Sequence, residues 1–171
     1  FEYFASAGFI EYFGADGKSE NSADLLEKNG YDVCFGKAEF EQSCKTNERI
    51  ILCQEYNKDV EAKNYDSTGE KPESEISLAE MVEYGIGFLG TEKPFFIMCE
   101  GGEIDWTSHG NKTFPTIYTT IAFSDAVSAA FEFYQQHPDE TLIVVTADHA
   151  TGGISLGSNG EYHTHFDELE K

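Results

Sequence analysis

Positive charge is scarce in this 171-residue chain: 11 Lys and Arg stand against 32 Asp and Glu, a formal net charge of −21. That balance disfavours a nucleic-acid partner, because phosphate contacts need clustered Lys and Arg. It disfavours docking on an anionic membrane for the same reason. Long apolar runs are also missing, and none approaches the roughly 20 residues that a membrane-spanning helix needs. Cysteine is sparse. Cys34, Cys44, Cys53 and Cys99 form no C-x-x-C pair, so neither a zinc ribbon nor a redox pair is indicated. Cys34, Cys53 and Cys99 sit in apolar runs, where a free thiol packs as a small hydrophobe. Free buried thiols are expected, with a Cys34–Cys53 or Cys44–Cys53 bridge as the alternative. The chain opens at Phe1 without an initiator Met, a charged n-region or an apolar signal region. The expectation is a segment of a longer protein.

What is present is globular. Hydrophobic residues make up 40%, aromatics 14% and charged residues 25% of the chain, and the length suits one domain over 1–171 with a real core. Residues 1–21 are rich in Gly and aromatics and read as a loop or short turns. Ser22 suits an N-cap for a helix through Lys28, with Gly30 at its C′ position. Tyr31-Asp32-Val33-Cys34-Phe35 alternates as a short strand, residues 37–45 suit a second helix, and Ile50-Ile51-Leu52-Cys53 reads as a strand covered on both faces. Residues 55–75 are polar and predict a long surface loop or excursion.

Leu78, Met81, Val82, Ile86 and Leu89 then repeat at helical spacing. Phe95-Phe96-Ile97-Met98-Cys99 and Leu142-Ile143-Val144-Val145 read as buried strands. Between them, a helix starting near Pro115 carries Phe123, Val127, Ala130 and Tyr134 on one face and ends at His137-Pro138. Gly152-Gly153 marks a turn, with short strands expected at 153–156 and 161–166. Alternating strands and helices predict an α/β fold with a parallel-rich central sheet flanked by helices.

In such sheets ligands bind outside the carboxyl ends of the strands, which here are Glu100 and the stretch beginning Ala147-Asp148. In the first segment, Asp105 and His109 are four apart; if that stretch is helical they share one face, a spacing that suits two ligands of one metal ion. Glu100 offers hard oxygen, better suited to Mg²⁺. In the second segment Asp148 and His149 follow a strand directly. One strand–helix–strand crossover separates the two segments and brings both loops to the same sheet edge. The bland alternatives are a solvated acidic surface, an exposed helical Asp–His pair and an Asp–His loop cap.

The stretch Glu100-Gly-Gly-Glu-Ile-Asp105-Trp-Thr-Ser-His109, followed by Thr146-Ala-Asp148-His149, resembles the second half of alkaline phosphatases, most strongly over residues 94–157. The resemblance implies hydrolysis of small-molecule phosphate monoesters through a phosphoserine, using two zinc ions and a magnesium ion. Two adjacent cations stabilise both the attacking and the leaving oxygen of an in-line displacement. It also implies that Asp105 and His109 bind the first zinc, Asp148 and His149 the second, and Glu100 the magnesium. The resemblance likewise implies that Trp106 occupies a position near the bound phosphate; the alternative is a residue packed beneath the loop.

The nucleophilic Ser, the bridging Asp, the Thr magnesium ligand and the phosphate-binding Arg belong to family motifs that would precede Phe1. The last zinc His lies in a His-Thr-Gly segment that His163-Thr164-His165 does not reproduce. With two donors for each zinc and one for magnesium, the segment alone is expected to be inactive. The resemblance further implies a periplasmic or extracellular parent and leaves a homodimer open. A phosphodiesterase, sulfatase or phosphomutase of the same superfamily would share the Asp-His ligands, though Glu100 favours the monoesterase. A metal-free binding or scaffold domain is the remaining alternative.

Overall fold

The computed structural model describes residues 1–9, 21–55 and 75–151, which fall into two compact units. The first holds described residues 1–9, 21–55 and 75–99, and the second holds 100–151.

The first unit is built on a three-stranded parallel sheet of order β1-β3-β2, formed by β1 (Tyr3–Ser6), β2 (Asp32–Phe35) and β3 (Ile50–Cys53). Tyr3 and Asp32 both pair with Ile50, so the two outer strands start level with the central one. A continuous apolar run suits a strand with no solvated face, and all four residues of β3 are buried. Their side chains alternate between two cores. Ile50 and Leu52 join Cys34, Phe40 and Ile76 on one face, while Ile51 and Cys53 join Ala23 and Val33 on the other.

Helices cover both faces. Helix α1 (Ser22–Lys28) supplies Ala23 to the second core; α2 (Lys37–Ser43) supplies Phe40 to the first, and α3 (Leu78–Leu89) packs Met81, Tyr84 and Phe88 against it. Gly85 of α3 admits the Tyr3 ring, since a Cβ there would lie 2.8 Å from Tyr3 Cε1, and the Tyr3 hydroxyl donates to the Met81 carbonyl at 2.8 Å. Burial raises the Tyr3 phenol well above its ordinary range. A capping box between Ser77 and Glu80 opens α3, and Lys37 holds Glu80 at 2.5 Å. The buried Gln54 side chain is satisfied by the Ile76 backbone, donating to its carbonyl at 2.6 Å and accepting from its N–H at 2.8 Å.

The second unit centres on α4 (Gly102–His109) and α5 (Thr113–Gln136). Asn111, with φ 50°, turns the chain between them in the left-handed conformation that Asn tolerates. The seam is small and polar: Thr116 donates its hydroxyl to Thr107 at 3.1 Å, and Thr107, Thr116 and Thr119 are all buried. Each of these hydroxyls also lies 2.8–2.9 Å from a carbonyl of its own helix or the preceding turn. Close approach is permitted at Gly101, where a Cβ would stand 2.8 Å from Phe123 Cδ2.

The observed α/β architecture, with its parallel sheet and flanking helices, matches the expected class. Several local expectations are corrected. Residues 3–6, expected in a loop, form β1, because pairing with β3 supplies their hydrogen-bond partners. The N-cap of α1 is Asn21, whose side chain accepts from Asp24 N–H at 2.7 Å. Residues 95–99 and 142–145 form no strand among the described residues: Phe96 and Met98 are over 80% exposed, and Leu142 is 86% exposed. The buried face of α5 runs through Thr116, Thr119, Ala126 and Ala129, while Phe123, Val127, Ala130 and Tyr134 are half-buried. All four cysteines are free thiols. Cys34 and Cys53 are buried, and Cys99 is half-buried. The expected loop over 55–75, the turn at Gly152-Gly153, the strands at 153–156 and 161–166, and His163 and His165 lie mostly or wholly outside the described residues.

Candidate metal-binding site

Helix α4 carries the first pair of candidate ligands. Its first turn holds Glu103 and Asp105, where acidic groups offset the exposed N–H ends, and its last turn holds His109. One helical turn places Asp105 Oδ2 3.5 Å from His109 Nε2, with the His side chain largely exposed. Trp106, next along the helix, is 60% exposed.

The second pair lies on the irregular segment after residue 145. The His149 backbone N–H donates to Asp148 Oδ1 at 3.0 Å, folding the carboxylate over its neighbour. That fold brings Asp148 Oδ2 to 3.4 Å from His149 Nε2. Adjacent residues on a regular strand would point to opposite faces; departure from strand geometry is what lets these two converge.

Thr151 joins the pairs. Its hydroxyl bonds Asp105 Oδ1 and lies 2.9 Å from His149 Nδ1. A continuous polar chain therefore runs from His109 through Asp105, Thr151 and His149 to Asp148. Sequence reasoning omitted Thr151. The signal for it was a hydroxyl two residues beyond His149, in reach of whatever orients that ring. Glu100 stands apart from this chain: it is exposed, and its carboxylate lies over Gly102, where a Cβ would meet Oε1 at 3.4 Å.

The donor set fits a borderline divalent cation. Both Asp–His separations exceed the usual hydrogen-bond distance. They match the edge of a tetrahedron around zinc, where bonds of about 2.0–2.2 Å place neighbouring donors about 3.4 Å apart. Imidazole nitrogen with carboxylate oxygen is a set that zinc accepts. Among the described residues, no three His, Cys, Asp or Glu side chains are gathered closely enough to hold a metal ion by themselves.

Comparison with known proteins places this acidic α/β chain, with its paired Asp–His donors on a helix and on a later loop, in a family. The alkaline phosphatase family model matches residues 16–170. The chain belongs to the alkaline phosphatase family. It is 39% identical over 94 residues to alkaline phosphatase 4 of Bacillus subtilis, covering 54% of this chain and 20% of that protein. It is 28% identical over 151 residues to the alkaline phosphatase of Schizosaccharomyces pombe, covering 82% of this chain and 27% of that protein. Among solved structures, alkaline phosphatase from the Antarctic bacterium TAB5 superposes with a TM-score of 0.73 at 26% identity, covering 97% of this chain and 47% of that one. A TAB5 mutant with Mg bound shares the fold at a TM-score of 0.63 and 24% identity, over 80% of this chain and 37% of that one. The chain thus spans about a fifth of the bacterial relative and under half of the solved enzymes.

Proposed function

We propose that this chain supplies part of the metal centre of a phosphate monoester hydrolase: Asp105 and His109 donate to one zinc ion, Asp148 and His149 to a second, and Glu100 to magnesium. The observation that carries this reading is the spacing of the two Asp–His pairs, 3.5 and 3.4 Å, joined through Thr151. Bound cations would supply Lewis-acid stabilisation of a phosphoryl oxygen and activation of the attacking group.

The protein's own share is positional. The threonine seam and Gly101 seat α4 against α5, so Asp105 and His109 are presented from a rigid element. Trp106 projects from the same helix and would flank the phosphate. Family membership supports phosphomonoester substrates and, by analogy, a phosphoserine route and an exported parent protein. Two donors per zinc and one for magnesium fall short of the three or four protein ligands usual at zinc, so the chain alone would bind metal weakly and turn nothing over.

Calorimetric titration of the metal-free chain with Zn²⁺ tests the reading. We expect weak binding that Asp105→Ala and Asp148→Ala each reduce by at least tenfold, and no phosphate release from p-nitrophenyl phosphate. Zinc binding unaffected by either change would overturn the ligand assignment, and turnover abolished by Glu100→Ala would overturn the inactivity.

A further inference from the structure

We propose that Thr151 is a positioning residue that sets the tautomer of His149 and thereby presents Nε2, beside Asp148, as a bare metal-binding lone pair. The inference rests on the metal-centre reading only for what Nε2 is presented to; the tautomer itself needs no metal.

Proton bookkeeping carries the argument. A carboxylate oxygen accepts hydrogen bonds, and the Thr151 hydroxyl donates to Asp105 Oδ1, so its proton points there. A hydroxyl has one proton. Toward His149 Nδ1, 2.9 Å away, the same oxygen can therefore only accept, and Nδ1 must carry the hydrogen. A neutral imidazole with its proton on Nδ1 leaves Nε2 unprotonated.

That bare nitrogen lies 3.4 Å from Asp148 Oδ2, a separation equal to one edge of a zinc tetrahedron. A cation held by both donors would offset the repulsion between their lone pairs. Partners on the second ring nitrogen commonly fix the orientation and tautomer of metal-ligating histidines. Here the partner is itself anchored on the other candidate pair, which ties the two pairs into one unit. Asp105 keeps Oδ2 for His109 while Oδ1 is spent on Thr151.

Long-range ¹H–¹⁵N spectra of ring-labelled, metal-free chain at pH 9 read the tautomer directly. We expect His149 to hold its proton on Nδ1 in the wild type, to shift toward the Nε2–H form in Thr151→Val, and to recover in Thr151→Ser. Asp105→Asn gives an independent arm: an amide can donate to Thr151, freeing the hydroxyl proton for Nδ1, so the same shift is expected two links away. Zinc affinity should fall about 10–100-fold in Thr151→Val and recover in Thr151→Ser. If Thr151→Val fails to fold, the Ser and Asn arms still decide.

An unchanged His149 tautomer in both Thr151→Val and Asp105→Asn overturns the inference. If zinc does not bind the wild type but the tautomer shifts as expected, the metal-centre reading falls and the positioning role stands. If zinc binds with equal affinity to wild type and Thr151→Val, the positioning role falls and the metal-centre reading stands.

Discussion

Gly101 is where a single methyl group should do most damage to the second unit. An added Cβ would sit 2.8 Å from Phe123 Cδ2, 3.1 Å from Phe123 Cγ and 3.2 Å from Ile104 Cδ1. Relaxed carbon contacts run at about 3.5–4.0 Å, so the ring must retreat by about 0.8 Å or α4 must lift. Overpacking of this kind costs about 1–3 kcal/mol. The offset is small. Gly101 has φ −89°, open to alanine, so the lost unfolded-state freedom returns about 0.4–1 kcal/mol. The net expectation for Gly101→Ala is a destabilisation of about 1–2 kcal/mol, read as a lower urea midpoint. Trp106, the single tryptophan, lies on α4 and gives a fluorescence signal local to this unit. Because the cost comes from one ring, Phe123→Leu should absorb it: Gly101→Ala should cost under about 0.5 kcal/mol in that background, a coupling near 1 kcal/mol. An undiminished loss in the Phe123→Leu background, or a Gly101→Ala chain at least as stable as wild type, would refute the steric account.

Two further outcomes follow from burial. Burial, with a smaller contribution from Cys34, pushes the Cys53 thiol from its ordinary value of 9.0 up to about 12. In native chain at pH 8, Cys34 and Cys53 should resist a thiol-exchange reagent that modifies half-exposed Cys44; equal labelling would refute their burial. The sign for stability follows: a folded value above the unfolded one favours the fold below about pH 9, and that contribution is lost as pH climbs from 9 toward 12. The apolar side chains of Leu142 and Val144 are 86% and 73% exposed, so Leu142→Lys with Val144→Lys should leave the urea midpoint within about 0.5 kcal/mol and suppress concentration-dependent light scattering. A large loss of stability would show that these side chains are packed.

Elements written in local chemistry were legible before any coordinates. The helical spacing of Leu78, Met81, Val82, Ile86 and Leu89, the glycine that follows α1 and the uninterrupted apolar run of β3 each declare themselves within a few residues, and each appears where its pattern implies. A strand is different, because it exists only through a neighbour's hydrogen bonds. Residues 3–6 lack a strand's clean alternation yet form β1, since Ile50 and its neighbours pair with them. Residues 142–145 have ideal strand composition and make no backbone hydrogen bond to a described residue.

The candidate site divides the same way. The i, i+4 period of a helix is a local property, so the sequence by itself determined that Asp105 and His109 would share a face. Residue order likewise set the candidate donor types at Asp148 and His149. Only the tertiary structure decided that Thr151 stands between Asp105 and His149, 46 residues apart from the former in sequence. No periodicity encodes that meeting: it depends on where the chain after α5 returns relative to α4, and side-chain hydrogen bonds over such a separation are settled by packing, not by pattern.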